Sequence, residues 1–100
     1  MDSFYELINN GTPIVRALAA RATIDFASIA AGGTNTATIT VPGASVGDPV
    51  ALGLPASVAA SIVFSAHVTA DNTVTVRAFN PTAGAIDPAS ATYKVVVFKL

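Results

Sequence analysis

The chain of 100 residues contains no cysteine and a single histidine. Small secreted domains often use disulfides to support a modest core, so the lack of cysteine fits folding in a reducing cytoplasm. Metal sites and general acid–base chemistry draw heavily on histidine, cysteine and clustered carboxylates. With His67 alone and no thiol, the sequence predicts no transition-metal site and little catalytic chemistry.

Charge is also scarce. Charged residues make up 11% of the chain, whereas an average soluble domain has about 25%. The formal net charge of −1 provides no electrostatic footprint for nucleic acid or anionic lipid. The composition therefore predicts neither a nucleic-acid partner nor a membrane-surface partner.

Long hydrophobic runs are missing as well. The most apolar window, residues 50–66, contains Pro55 and three serines, and a membrane-spanning helix needs about 20 consecutive apolar residues. The opening MDSFYELINNG carries acidic rather than basic residues before its apolar stretch, which does not fit a signal peptide. High apolarity with low charge then predicts a surface that other protein covers, as in a subunit of an assembly.

What the sequence does contain is a succession of short strands. From residue 21 onward, β-branched segments alternate with turn residues at roughly 8–12-residue spacing, which is typical of a sandwich or barrel. Threonines occupy the outward positions of two of these segments. The predicted fold is an all-β, antiparallel β-sandwich, jelly-roll-like, over residues 21–100, with a short N-terminal arm over residues 1–20. The predicted strands are ATIDFASI, TATITV, PVALGL, IVFSAHV, TVTVRAF and ATYKVVVFKL.

The N-terminal arm is more apolar than a free chain end usually is. Its segment DSFYELI can form one or two helical turns with Asp2 or Ser3 as the N-cap, and the following NNG ends them. Two interpretations remain open for the apolar side chains of this segment. They either pack on their own domain or dock on a neighbouring subunit.

The polar side chains suggest structural roles. Asp71 and Asp87 fall in turns, where aspartate commonly caps its own backbone; a calcium site built from loop carboxylates is the alternative. Alternation places His67 on an outer face with Ser65, and AGGTNT lacks the lysine and the helix of a phosphate loop. No catalytic, cofactor-binding or metal-ligating residue is predicted. The aromatic residues assigned to the core are Phe26, Phe64, Phe79, Tyr93 and Phe98.

The segments ITVPGASVGD, VTADNTVTVRAFN and AIDPASATYKV lie within residues 22–98. This pattern resembles small β-sandwich proteins and modules encoded by tailed bacteriophages, which occur as head decoration (cement) proteins and at the ends of head or tail fibres. The resemblance implies a structural role in the virion, on the outer capsid surface, and no enzymatic activity. The implied partner is the major capsid protein. The fibre alternative implies recognition of a receptor or glycan.

Two interaction surfaces are predicted. Uncharged strand edges favour a homodimer or homotrimer, and KVVVFKL is the predicted exposed edge, with Lys94 and Lys99 guarding its ends. A Val96→Asp change is expected to disturb either the core or a subunit contact, and removal of residues 1–20 is expected to abolish capsid binding. The predicted capsid or subunit anchors are Phe4, Tyr5, Leu7, Ile8, Ile14 and Val15.

Overall fold

Alternating apolar and polar side chains produce six strands in the computed structural model, which describes residues 16–58 and 60–100. No helix occurs in these two ranges, so the all-β prediction is confirmed there. The strands are β1 (Arg16–Ile24), β2 (Thr34–Thr40), β3 (Val50–Gly53), β4 (Val63–Ala70), β5 (Thr73–Phe79) and β6 (Ala91–Lys99).

The strands form two antiparallel three-stranded sheets, with the orders β1-β6-β3 and β2-β5-β4. The central strands β5 and β6 supply the most deeply buried side chains, because each is paired on both edges and covered on its inner face. Fully burying a valine contributes about 1.5–3 kcal/mol. The inward residues of these two strands are Val74, Val76, Ala78, Tyr93, Val95 and Val97, none more than 1% exposed.

Three aromatic rings join the two sheets. Tyr93 on β6 meets Phe26 edge-on, with 5.6 Å between ring centroids, and Phe64 on β4 at 5.7 Å. Edge-on and tilted pairs at these separations are favourable beyond their buried area. Burial raises the pKa of the Tyr93 phenol above its usual value. The core assignment of these three aromatic residues is therefore confirmed, although Phe64 stays partly exposed.

The first strand differs from its predicted position. It begins at Arg16, so that residues 16–20, assigned to the arm by the sequence, pair with residues 95–99 of β6. Alanine-rich composition concealed this half of the strand, since alanine is depleted in strands. Residues 25–28, predicted as strand, are irregular, yet Phe26 remains 3% exposed. The arm up to residue 15 lies outside the described residues.

The last strand is not an edge. The sequence predicts that KVVVFKL is exposed at an edge, but β6 lies between β1 and β3 and pairs with both. The prediction is wrong because strand order depends on contacts between distant segments, which local sequence does not encode. The described edges are instead β1, β3, β2 and β4.

The hairpin turn between β4 and β5 is fixed by a second loop. Asn72 adopts a positive φ of 63°, a conformation that asparagine tolerates in tight turns. Its side-chain Oδ1 accepts a hydrogen bond from the backbone N–H of Gly43 at 2.8 Å, and its own N–H donates to the carbonyl of Ala44 at 2.9 Å. The turn is thereby attached to the loop between β2 and β3.

Asn80 is a buried polar anchor where β5 ends. Its Nδ2 donates to the carbonyls of Ile29 at 3.0 Å and Gly84 at 2.8 Å. Its Oδ1 accepts from the backbone N–H of Thr82 at 3.0 Å and from the Thr82 hydroxyl at 2.6 Å. A fully buried amide is tolerated because all these bonds are made. Asn80 thus ties the loop after β1 to the loop before β6.

We expect Asn80→Ala to lower the free energy of unfolding by about 1–3 kcal/mol, because it removes the hydrogen bonds of a fully buried amide and leaves the backbone N–H of Thr82 without its acceptor. Urea denaturation at pH 7 measures this loss. Asn35→Ala is the matched control, since the Asn35 amide donates to the carbonyl of Ala27 from an exposed position. A loss for Asn80→Ala no larger than that of the control would contradict the assignment of Asn80 as an anchor.

Candidate functional site

The six predicted anchors, Phe4, Tyr5, Leu7, Ile8, Ile14 and Val15, lie outside the described residues. The extended surfaces of the described residues are the outer faces of the two sheets. Each sheet buries one face in the core and presents its other face outward. The two outer faces differ sharply in chemistry, because the strands of one carry threonines outward and the strands of the other carry alanines and basic residues.

The outer face of β2-β5-β4, named here the threonine face, consists of the outward residues of those strands. Thr38, Thr75 and His67 lie side by side in the cross-strand register, and Arg77 lies between Thr36 and Ser65 in the next row. Thr69 and Thr75 share a hydrogen bond of 2.8 Å between their hydroxyls. The prediction that His67 is outward with Ser65 is confirmed. This face offers neutral donors and acceptors with one fixed positive charge.

One end of the threonine face carries apolar side chains. Phe79, assigned by the sequence to the core, points outward and is 37% exposed, so that assignment is wrong. It lies between Thr34 and the exposed Val63 in the register, two residues from Arg77. The alternation of β5 explains the difference, since Val74, Val76 and Ala78 occupy the inward positions and the odd-numbered residues must face out.

The outer face of β1-β6-β3 is named here the basic–apolar face. Its centre is apolar: Ala19 and Ala51 flank Val96 on either side, and Ala17 lies opposite Phe98. Val96 and Phe98 are partly buried on this outward side, and Phe98, unlike Phe64, does not pack against the core cluster, so the core assignment of Phe98 is also wrong. The residues of this face are Ala17, Ala19, Arg21, Thr23, Ala51, Gly53, Thr92, Lys94, Val96 and Phe98.

Two positive charges lie together between the apolar centre of the basic–apolar face and the outward pair Thr23–Thr92. Arg21 is directly opposite Lys94 in the β1–β6 register, and both are exposed. Like charges in directly opposed positions repel each other. A groove of about 350 Å³, lined by Ala19, Ala20, Arg21, Lys94, Val95 and Val96, lies beside them. This combination suits an apolar partner that brings a carboxylate.

A salt bridge between Lys99 and Asp48 attaches the end of β6 to the loop between β2 and β3. The ammonium of Lys99 donates to the carboxylate of Asp48 at 2.7 Å and to the Ser45 hydroxyl at 3.2 Å. The same carboxylate oxygen accepts the backbone N–H of Ser45 at 2.9 Å. The hydrogen bond from Lys99, followed by that from Ser45, lowers the pKa of Asp48 below its usual 3.8. Among residues 16–58 and 60–100 this is the sole salt bridge.

Asp48 therefore caps the backbone of its own loop, and the sequence pattern did not predict this role. Asp71 and Asp87 were expected to cap their own turns, but the side-chain hydrogen bonds of the described residues include none to either carboxylate. Asp71 contributes only its main-chain carbonyl, which accepts from the Thr73 hydroxyl at 3.2 Å. The signal was the spacing of Ser45 and Asp48 within a glycine-rich loop, where an aspartate can accept from a backbone N–H three residues earlier.

Outside residues 1–15 and residue 59, no three histidine, cysteine, aspartate or glutamate side chains come close enough to hold a metal ion together. No helix in the same part of the chain is long and apolar enough to cross a membrane.

We expect Asp48→Asn to lower the melting temperature at pH 7, because the charged carboxylate and its bond to Lys99 are lost. The folded-state pKa of Asp48 is depressed, so its contribution is present above the unfolded value of 3.8 and is lost as the pH falls through the lower folded value. The difference between wild type and variant should therefore shrink below pH 3.8. Thermal melts from pH 7 to pH 2 measure it, with Asp87→Asn as the control. A difference that stays constant with pH would contradict this account.

Val96→Asp and Val97→Asp form a matched pair on adjacent positions of β6. Val97 is fully buried, so a carboxylate there should unfold the domain or cost at least about 3 kcal/mol. Val96 faces outward between two exposed alanines, and the fold should tolerate Val96→Asp with a loss of about 1 kcal/mol or less. Urea denaturation and light scattering distinguish the two. Equal destabilisation by both variants would show that Val96 belongs to the core.

No family model, no curated protein and no solved structure matches this chain.

Proposed function

We propose that the chain is a structural protein of the virion, a capsid decoration (cement) protein that binds the outer surface of a bacteriophage head and stabilises contacts between capsomers. It would act without enzymatic activity, with the major capsid protein and further copies of itself as partners. The observation that carries the proposal is the presence of two extended outer sheet faces with few charges, one of them with an apolar centre.

The strand pairing supports this proposal. The strands nest, with β1 paired to β6 and β2 paired to β5, while β3 and β4 contact each other across the two sheets. Such nesting is what results when one long hairpin is rolled into two sheets, and we propose that the fold is a shortened jelly-roll sandwich. Jelly rolls of eight strands are common in viral capsid and lectin domains. A fold of this kind hosts many functions, so it supports the proposal only as an analogy.

Mass action explains how such a protein would strengthen a capsid. A ligand that binds the assembled lattice and not its dissociated subunits stabilises the lattice by an amount that grows with its free concentration. A patch of about 800 Å² on each partner is sufficient for a specific contact. Among the predicted anchors in the N-terminal segment, Tyr5 is of a residue type enriched where interfaces concentrate their binding energy, and the others supply apolar area to bury.

Removing residues 1–15 should abolish decoration of capsids while the two sheets stay folded. The truncation ends before Arg16, because residues 16–20 pair with β6 and removing them would damage the sheet. Sedimentation of purified phage heads lacking their decoration protein, mixed with wild-type or truncated protein, measures binding. Circular dichroism of the truncated protein is the control for folding. Normal decoration by a folded truncated protein would overturn the anchor assignment.

Glycan recognition at a fibre tip is the second candidate, and one observation favours it. The exposed ring of Phe79 lies near Arg77, Ser65 and Thr34 on the threonine face, which places an aromatic platform beside polar groups. Binding to a glycan array that Phe79→Ala abolishes would support this candidate, and Val46→Ala, at an exposed residue in the loop between β2 and β3, is the matched control. The absence of glycan binding, together with binding to heads, would favour the decoration role.

A further inference from the structure

We propose that the basic–apolar face is a docking surface for residues 2–8 of the same chain. The segment DSFYELI would lie along this face in the free subunit, with its apolar side chains on the apolar centre and its carboxylates beside Arg21 and Lys94. This inference concerns the isolated subunit and does not rest on the capsid proposal.

The charges of residues 2–8 are opposite in sign to those of the basic–apolar face. Asp2 and Glu6 are the only charged residues among the first fifteen, and both are acidic. Arg21 and Lys94 are adjacent, exposed and outside the one salt bridge of the described residues. A carboxylate placed between them relieves their mutual repulsion. A second copy of the basic–apolar face would instead bring further positive charges and no anion.

The apolar side chains of the segment also match the apolar centre of the basic–apolar face. The segment carries Phe4, Tyr5, Leu7 and Ile8 in succession. The centre of the face consists of small alanines around Val96, with a groove beside it that large side chains can fill. Covering such a face removes apolar area from water, which contributes about 25 cal/mol per Å². Nothing else among residues 16–58 and 60–100 covers it, since Ala17, Ala19 and Ala51 are exposed.

The chain length permits the docking. Arg16 begins β1 beside Lys99, at the end of the face opposite the Arg21–Lys94 pair. Five residues of strand separate Arg16 from that pair, a distance of about 17 Å. Glu6 precedes Arg16 by ten residues, which can span up to about 33 Å. The intervening NNGTP contains the residues that favour a chain reversal.

The tether favours docking within one chain over docking between chains. A short linker holds its two ends at an effective concentration of the order of millimolar. At micromolar protein concentrations, a segment of the same chain therefore reaches the face far more often than the same segment of another copy does.

A disulfide trap tests the inference in the full chain, which has no native cysteine. Leu7→Cys with Ala19→Cys places one thiol in the segment and one at the centre of the face. Leu7→Cys with Thr38→Cys is the matched control, because Thr38 is exposed on the threonine face. The expected result at micromolar concentration is an intramolecular disulfide in the first variant that forms about tenfold faster than in the control. Mass spectrometry under non-reducing conditions measures it.

Each other outcome of the trap overturns the inference. Equal rates in the two variants would mean that the segment has no preference for the basic–apolar face. Disulfide-linked dimers in place of closed monomers would mean that the face receives the segment of another copy. If Ala19→Cys disturbs folding, Ala51→Cys offers a second exposed position on the same face. Failure of both traps in folded protein also overturns the inference.

A charge exchange tests the proposed recognition. Glu6→Lys should slow closure of the Leu7–Ala19 trap by about twofold to fivefold, the range expected for an exposed ion pair. Adding Lys94→Glu to that variant should restore the rate, because the opposite charges then meet again. Adding Arg77→Glu, on the other sheet, should not restore it. Restoration by both additions, or by neither, would overturn the assignment of Lys94 as the partner of Glu6.

Discussion

The packing of Tyr93 against Phe26 and Phe64 is the contact on which the rest of the structure depends. It joins β6 to the opposite sheet through the segment that follows β1 and through β4. Because the three rings meet between the sheets, they fix which side of β4 and β6 faces the core. Paired residues of neighbouring strands point to the same side, so the pairing carries this orientation to the other strands, and alternation then fixes the outer faces. The identity of both outer surfaces is thus a consequence of what the core holds.

The two outer faces differ in the chemistry of their side chains. The threonine face is polar and almost uncharged, so that it stays hydrated without strong attraction to any charged partner. The basic–apolar face combines exposed alanines with a pair of like charges, which is an unfavourable arrangement unless something covers it. If the N-terminal segment covers this face in the free subunit, any anchoring of that segment to a capsid must first release it. The apparent dissociation constant for the capsid would then rise as the inverse of the fraction of molecules in which the segment is free.

Local pattern predicted the strands well and their arrangement poorly. The positions of β2, β4 and β5 and the inward valines of β5 follow from alternation and turn chemistry within a few residues. The start of β1 was missed because alanine gives no strand signal, and β6 was assigned to an edge because strand order arises from contacts about 80 residues apart. The Lys99–Asp48 pair and the Asn80 bonds also join distant segments, so composition could not reveal them.

The central place of β6 has a consequence for how the protein is made. Since β6 follows the other five strands in the chain, β1 and β3 have no partner in their sheet until the ribosome has released the residues up to Lys99. The sheet β2-β5-β4 can assemble earlier, because all its strands lie between Thr34 and Phe79. During synthesis the alanine-rich β1 therefore stays unpaired in its sheet until β6 is available. A chain that ends before β6 could form the sheet β2-β5-β4 but not the sheet β1-β6-β3.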